Sequence, residues 1–201
     1  MRDHQGMAAS APTFFFGAMS PYSWLAAERI EQLLPRARWQ VVLAGAVFKA
    51  NDRTSWGLTA DRDAGIADCE ARAAGHGKGP IRWPDPWPTS DLLVARAMCF
   101  AEGRGMLERF ALSAMRLSFI DGRDLGELDA VLESARRTGL DPEQVRDALA
   151  DPEIKAALRR NTDEALALGV WGVPTVIVDG ELFWGDDRLQ EAADAAARQG
   201  A

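Results

Sequence analysis

The stretch Phe14-Phe15-Phe16-Gly17-Ala18-Met19-Ser20-Pro21-Tyr22-Ser23 decides the fold, because it joins a buried strand to the start of a helix. Three consecutive aromatic residues are typical of a buried strand. Ser20 is a favourable helix N-cap, and Pro21 suits the first helical position, where its missing N–H has no partner. We therefore expect a strand that ends at Phe16 and a helix that begins after Ser20.

The residues that follow complete a first unit of strand, helix and strand. The helix carries apolar residues on one face and ends at Pro35, and a second strand is predicted over 39–43. This strand is expected to run parallel to the first, because the helix between them makes a right-handed crossover. The chain then has a helical pattern over about 51–168, interrupted by the proline-rich loop 79–88.

The C-terminal part changes back to a strand pattern. Strands are predicted over 174–178 and 181–184, joined by a hairpin turn at Asp179-Gly180. Gly185-Asp186-Asp187 then opens a last helix. The element order is β-α-β, a block of helices, and β-β-α. We therefore predict an α/β protein with a thioredoxin-like fold, in which a large all-helical insertion interrupts a four-stranded sheet.

Composition limits the partners of the chain. Its 201 residues are 47% apolar and 26% charged, which suffices for a core without disulfides or metal. The net charge of −7 argues against nucleic acid, whose phosphates need a basic face. No run of eighteen apolar residues occurs, so we expect no membrane span. We predict one domain over 13–201, after a disordered lead-in over 1–12.

The N-terminus and the cysteines bear on the compartment. The first residues lack the apolar core of a secretory signal, which predicts a cytoplasmic protein, and Met7 is an alternative first residue. Cys69 and Cys99 form neither a Cys-x-x-Cys pair nor a metal-binding spacing. We expect both to be small buried residues and expect no metal.

Ser20 and Ser23 stand where redox proteins of this fold carry Cys-x-x-Cys at the first helix start. Serine forms no disulfide, but its hydroxyl can donate a hydrogen bond to a thiolate brought by a ligand, and the helix dipole favours the same charge. A plain helix cap remains an alternative for Ser20. A serine nucleophile is disfavoured, because His4 and His76 are the two histidines and neither is a convincing base.

Two further segments complete a candidate site. In Gly172-Val173-Pro174-Thr175 a proline directly precedes a central strand, where its missing N–H would normally be harmful. Thioredoxin folds have a cis proline here, which exposes the backbone of the preceding residue to an extended ligand; an ordinary trans proline at a strand edge is the alternative. Asp186 and Asp187 at a helix start are either caps or partners for an ammonium group.

These segments resemble one known family. Residues 14–26 resemble the opening of the 2-hydroxychromene-2-carboxylate isomerases, which are glutathione-dependent relatives of kappa-class glutathione transferases and DsbA oxidoreductases. Residues 169–175, GVWGVPT, and 179–189, DGELFWGDDRL, resemble the closing signature of that family. The helical middle is similar in architecture and length alone.

The resemblance implies a glutathione cofactor and roles for individual residues. Ser20 would lie beside the glutathione sulfur, and Val173-Pro174 would pair with the tripeptide backbone. Asp186-Asp187 would hold the γ-glutamyl group, and Asn51 would lie near the glycyl end. The resemblance leaves open whether the thiol is glutathione or another low-molecular-weight thiol.

The middle departs from the family pattern. Family members usually carry a lysine and a tyrosine ahead of an aspartate-arginine pair, and residues 61–68 contain neither lysine nor tyrosine. Arg62 is the candidate replacement as a partner for a substrate carboxylate, with Arg82 as an alternative. Five tryptophans are candidates for aromatic walls: Trp24, Trp56, Trp83, Trp87 and Trp184.

The resemblance therefore predicts a glutathione-dependent cis–trans isomerase that acts on an aromatic-degradation intermediate. Its substrate would be a small aromatic carboxylate or another electrophile, and a homodimer is left open. A kappa-like glutathione transferase or peroxidase is one alternative. A thiol-binding protein of this fold without catalysis is another.

Overall fold

The centre of the protein is a four-stranded sheet, seen in a computed structural model that describes residues 11–199. Its strands are β1 Thr13–Phe16, β2 Arg38–Val41, β3 Thr175–Val178 and β4 Glu181–Trp184. They lie in the order β2-β1-β3-β4; β1 and β2 are parallel, and the other neighbours are antiparallel. Residues 1–10 of the predicted lead-in, including Met7, lie outside the described residues.

Helices make up most of the described chain and confirm the predicted element order. Within residues 11–199 there are two short 3-10 turns, Trp56–Leu58 and Asp186–Arg188. The α-helices are α1 Pro21–Leu33, α2 Ala44–Ala50, α3 Arg62–Gly75, α4 Leu92–Glu102, α5 Leu107–Phe119, α6 Leu128–Thr138, α7 Pro142–Ala148, α8 Pro152–Ala167 and α9 Leu189–Gln199. None of the helices in this part of the chain combines the length and the apolar character needed to cross a membrane.

The helix ends follow local capping chemistry. Ser20, Asp141 and Asp151 each accept a hydrogen bond from the backbone N–H two or three residues later, at 3.1, 3.0 and 2.8 Å, and each precedes a proline at the first helical position. The helical middle begins earlier than the sequence pattern indicates, with α2 at Ala44. The cap of α2 is Leu43, which offers no side-chain oxygen, so this start has no capping signal.

The three phenylalanines of β1 divide the core between the two faces of the sheet. Phe14 and Phe16 point into the larger cluster, which includes α1, α9 and most of the inserted helices, and both rings form T-shaped contacts with Trp39. Phe15 points to the opposite face, against Val42 and residues of α2 and α8. All three rings are fully buried, which explains why the strand is continuously aromatic.

A buried carboxylate ties α1 to the inserted helices. The Glu28 side chain is only 4% exposed and accepts hydrogen bonds from Arg116 at 2.6 and 2.9 Å, from Lys78 at 2.7 Å and from the Trp24 indole at 3.1 Å. Burial by itself would raise the pKa of Glu28, but the hydrogen bonds from Arg116 and Lys78 outweigh it and hold the pKa at about 2.

The pKa of Asp91 is shifted in the opposite direction to that of Glu28. It lies directly before α4, close to the start of α2, and burial raises the pKa of its carboxyl to about 6. The backbone N–H groups of Ala44 and of Asp91 itself favour the charged form, but they only partly offset the loss of water. Ionisation of Asp91 therefore costs the folded protein stability.

Replacing Glu28 by alanine should destabilise the protein by about 3 kcal/mol, because two cations and a buried indole N–H lose their common partner. Glu31→Ala is the matched control, since Glu31 is exposed on the same helix, and it should change the free energy of unfolding by less than about 0.5 kcal/mol. Urea denaturation of both variants measures the difference. Equal free energies of unfolding for the two variants would contradict the structural role of Glu28.

Replacing Asp91 by asparagine should stabilise the protein at neutral pH but not in acid. An unfolded aspartate has a pKa of about 3.9, so wild-type stability should fall as the pH rises from about 4 to 6. Asparagine does not ionise, and the variant should therefore gain about 1–2 kcal/mol on wild type between pH 4.5 and pH 7.5. Denaturant unfolding at both pH values tests this. Asp147→Asn, at an exposed position of α7, is the control and should show no such gain.

Candidate active site

The start of α1 is held in place by two serines with different tasks. Ser23 is fully buried, and its hydroxyl oxygen accepts a hydrogen bond from Gly17 N–H at 3.2 Å, which fixes the turn after β1. Ser20 is half-buried, and its oxygen accepts from Ser23 N–H at 3.1 Å. The Ser20 hydroxyl hydrogen remains available to a ligand, at a helix end that favours negative charge.

The Val173-Pro174 segment lies against this helix start. Its peptide bond is cis, as the sequence analysis predicted. Gly17 approaches Val173 so closely that a Cβ atom at Gly17 would lie 3.1 Å from a Val173 methyl group. The Pro174 carbonyl accepts a hydrogen bond from Gly185 N–H at 2.9 Å, which connects the segment to the end of β4.

Two adjoining cavities open around these segments. The first, of about 360 Å³, is lined by Ser20 and by residues of α2 and of the tryptophan-rich loops. The second, of about 450 Å³, lies between Pro174 and the 3-10 turn that contains Asp186 and Asp187. They share five lining residues, so they form one continuous groove: Tyr22, Arg53, Trp56, Val173 and Trp184.

Most of the predicted site residues meet in this groove. Ser20 lines the first cavity, Val173 and Trp184 line both, and the remaining three line the second: Pro174, Asp186 and Asp187. The N- and C-terminal motifs, which lie about 150 residues apart in the sequence, are thus brought together around one space.

Three predicted residues do not line either cavity. Asn51 ends α2, and its side-chain amide donates to the Val47 carbonyl at 2.9 Å. Arg62 donates to the carbonyl of Gly57 at 3.0 Å and to that of Trp87, so it braces the wall behind the first cavity. One nitrogen of the guanidinium group makes both of these hydrogen bonds, so Arg62 has a structural role in the wall.

Trp83 packs behind the cavity wall and supports it from outside. Its ring lies 4.8 Å from that of Trp87 and 6.2 Å from that of Trp56, and both of these neighbours line the first cavity. The Trp83 indole N–H donates to Glu70 at 3.0 Å. Of the five candidate tryptophans, Trp56, Trp87 and Trp184 line the first cavity, whereas Trp24 and Trp83 do not.

Asp186 and Asp187 differ in how far their side chains are exposed to solvent. Asp186 is 1% exposed; its carboxylate accepts hydrogen bonds from Arg72 at 2.9 Å and Arg29 at 3.2 Å, and its backbone carbonyl accepts from Arg29 at 2.6 Å. Burial raises the pKa of Asp186, and the two guanidinium groups oppose that rise. The Asp187 side chain is 60% exposed and lies 3.5 Å from Arg72. Asp187 is therefore the carboxylate that a ligand can reach.

Tyr22 and Arg53 were missed as site residues. Tyr22 donates its phenolic hydrogen to Asp68 at 2.8 Å, and burial and this hydrogen bond raise the pKa of Tyr22, so it stays neutral. Arg53 follows Asp52, whose φ of 53° turns the chain sharply after α2. A positive φ at an aspartate leaves no clear trace in the sequence, so nothing there pointed to Arg53.

The cysteines of the chain do not supply a thiolate to the groove. Both are free and buried, as expected, and neither lines a cavity. Burial raises the pKa of Cys69 and of Cys99 to about 12, which keeps both thiols protonated. The groove can hold an anion at the α1 start, but a reactive thiolate would have to come from a ligand.

The chain is similar to known proteins over most of its length. The chain is 27% identical over 189 residues to the 2-hydroxychromene-2-carboxylate isomerase of Sphingobium xenophagum, covering 88% of this chain and 92% of the relative. It is 25% identical over 198 residues to glutathione S-transferase kappa 1 of Homo sapiens, covering 88% and 86%. Among solved structures, a 2-hydroxychromene-2-carboxylate isomerase (HCCA isomerase) matches with a TM-score of 0.79 at 19% identity, over 93% of this chain and 94% of that one.

The predicted family relationship and fold are thereby confirmed. A family model described as DSBA-like thioredoxin domain matches residues 13–197, which include the sheet, the inserted helices and both halves of the groove. With this match over nearly all of its length, the chain belongs to the family of DSBA-like thioredoxin domains.

Proposed function

We propose that the chain binds glutathione in the groove and is a glutathione-dependent cis–trans isomerase of aromatic intermediates of the 2-hydroxychromene-2-carboxylate type. The observation that carries the proposal is the position of the Ser20 hydroxyl. It lines the first cavity at a helix start, and no cysteine of the chain lines that cavity. The names of the two curated relatives, an isomerase and a glutathione transferase, support it.

The residues of the groove fit glutathione in three places. The start of α1 offers a hydroxyl and the positive end of the helix dipole to a thiolate. Val173 precedes β3 and would pair through its backbone with an extended peptide, in the manner of an added strand. Asp187, exposed in the second cavity, would accept hydrogen bonds from the γ-glutamyl ammonium, while Asp186 holds Arg29 and Arg72 in position.

Bound glutathione would supply a thiolate that adds to a conjugated double bond and leaves again after rotation about the resulting single bond. The protein's own contribution is to keep the thiolate charged and to hold the acceptor. Ser20 would stabilise the negative charge on sulfur, because a hydrogen bond to the charged form lowers a pKa. Trp56 and Trp87 would cover an aromatic acceptor in the first cavity.

A kappa-like transferase is the second candidate, favoured by the match to glutathione S-transferase kappa 1. The same thiolate would serve either reaction, and the acceptor decides between them.

We further propose that the protein acts in the cytoplasm, where glutathione is the main low-molecular-weight thiol. Within residues 11–199 both cysteines are unpaired, which is compatible with a reducing compartment.

Replacing Ser20 by alanine should raise the pKa of bound glutathione and slow turnover by about 10²-fold, the scale of one lost preorganised donor. Ultraviolet titration of the complex follows the thiolate directly. Ser20→Gly should behave like alanine, because glycine caps a helix but has no hydroxyl, and Ser20→Thr should retain the thiolate. A titration curve for Ser20→Ala that coincides with wild type would assign the activation to the helix dipole alone.

Isomerase and transferase are separated by offering two acceptors to the same protein. We expect 2-hydroxychromene-2-carboxylate to be converted to its trans open-chain isomer with glutathione present at catalytic amounts, and not without it. 1-Chloro-2,4-dinitrobenzene should be conjugated at most slowly. Conjugation that consumes glutathione, with no isomerisation of the chromene, would favour the transferase. Absence of glutathione binding in calorimetry would reject both.

A further inference from the structure

Arg53 lies where the two cavities join. It follows the turn after α2, where its backbone N–H donates to the Phe48 carbonyl at 2.9 Å, and its exposed side chain lines both spaces. Among the lysine and arginine residues of the described chain, Arg53 alone lines the first cavity. An anion that enters the first cavity can therefore pair there with one cationic side chain, that of Arg53.

Two tryptophans hold the guanidinium in place. Its central carbon lies 4.6 Å from the ring centre of Trp171 and 5.4 Å from that of Trp184. The two rings are 4.0 Å apart, and Trp184 packs over Gly172, where no side chain could be accommodated. Contact with aromatic rings holds a guanidinium in place without forming an ion pair, so its charge remains available to a ligand.

The other arginines that line the second cavity are already engaged. Arg72 lies within 3.5 Å of Asp68, Asp186 and Asp187. Arg188 pairs with Glu191 at 2.7 Å and lies over the Phe183 ring. By contrast, Arg53 forms no ion pair within 4.0 Å with any carboxylate of residues 11–199.

We propose that Arg53, positioned by Trp171 and Trp184, forms a carboxylate-binding site at the junction of the two cavities. A guanidinium edge matches the two oxygens of a carboxylate, which gives two parallel hydrogen bonds. Under the proposed function, on which this assignment of the source rests, the carboxylate is the glycyl end of glutathione or the acid group of the acceptor. Both groups are carboxylates and would bind Arg53 in the same way, and the second test below distinguishes them.

The charges of the first cavity also orient such a ligand. Asp61 and Asp91 line the same cavity and would repel a carboxylate. The acid group of a ligand is therefore directed to Arg53, and its neutral part to the cavity wall that carries Trp56 and Trp87. This orientation needs Arg53, since the other lining residues of the first cavity carry no positive charge.

The first test uses probes that do not depend on glutathione. Calorimetry should show that benzoate binds wild type at least about tenfold more tightly than benzamide, since only benzoate forms charge-assisted hydrogen bonds. Arg53→Met, which keeps an apolar chain against the tryptophans, should abolish this preference. Arg53→Lys should restore part of it. Arg36→Met, an exposed arginine beyond the other end of α1, is the control and should bind like wild type.

The second test identifies the source of the carboxylate. If it is the glycyl end, wild type should bind glutathione about tenfold more tightly than its glycyl ethyl ester, and Arg53→Met should bind both equally. If it is the acceptor, the ester should bind as well as glutathione. In that case Arg53→Met should raise KM about tenfold for the chromene carboxylate and leave KM for 1-chloro-2,4-dinitrobenzene unchanged.

The outcomes also separate this inference from the proposed function. Wild type that binds no glutathione, yet prefers benzoate through Arg53, would reject the proposed function and support the carboxylate site. Unchanged binding of benzoate, glutathione and acceptor by a folded Arg53→Met variant, with wild-type circular dichroism, would overturn the carboxylate site.

Discussion

The antiparallel pairing of β1 with β3 is the interaction on which the rest of the groove depends. It joins the two ends of the chain, with Thr13 opposite Ile177 and Phe15 opposite Thr175. Because the strands run in opposite directions, the end of β1 lies beside the beginning of β3. The turn that leads into α1 therefore meets the segment that leads into β3, and the absence of a side chain at Gly17 leaves room for the Val173 side chain. A change of register would separate Ser20 from Val173 and divide the groove.

The fold could be predicted from the sequence because its signals are local. The aromatic strand, the caps of α1, α7 and α8 and the Asp179-Gly180 turn each depend on a few neighbouring residues, and the structure confirms them. The start of α2 could not be predicted, because Leu43 carries no capping group. Those groove residues that belong to the N- and C-terminal motifs could also be predicted from the sequence. Arg53 escaped prediction because its position results from a turn at positive φ and from stacking on a distant part of the chain.

The distribution of charge shows how an acidic chain can present a positive group. Glu28 and Asp186 are buried carboxylates, and each is shared by two cations, which fixes those cations in the structure. Arg62 is held in another way, by backbone carbonyls. Arg53 differs from all of these, because aromatic rings fix its direction without neutralising it. Aromatic contact is thus a means of orienting a cation while leaving its charge to a ligand.

The placement of the tryptophans makes the protein its own optical reporter. Trp56, Trp87 and Trp184 line the groove, whereas Trp24 and Trp39 lie in the core away from it. Indole emission depends on nearby charge and on contact with water, and a molecule entering the groove changes both for the first three rings. The core tryptophans would add a constant background. Intrinsic fluorescence of the unlabelled chain should therefore register occupancy of the groove.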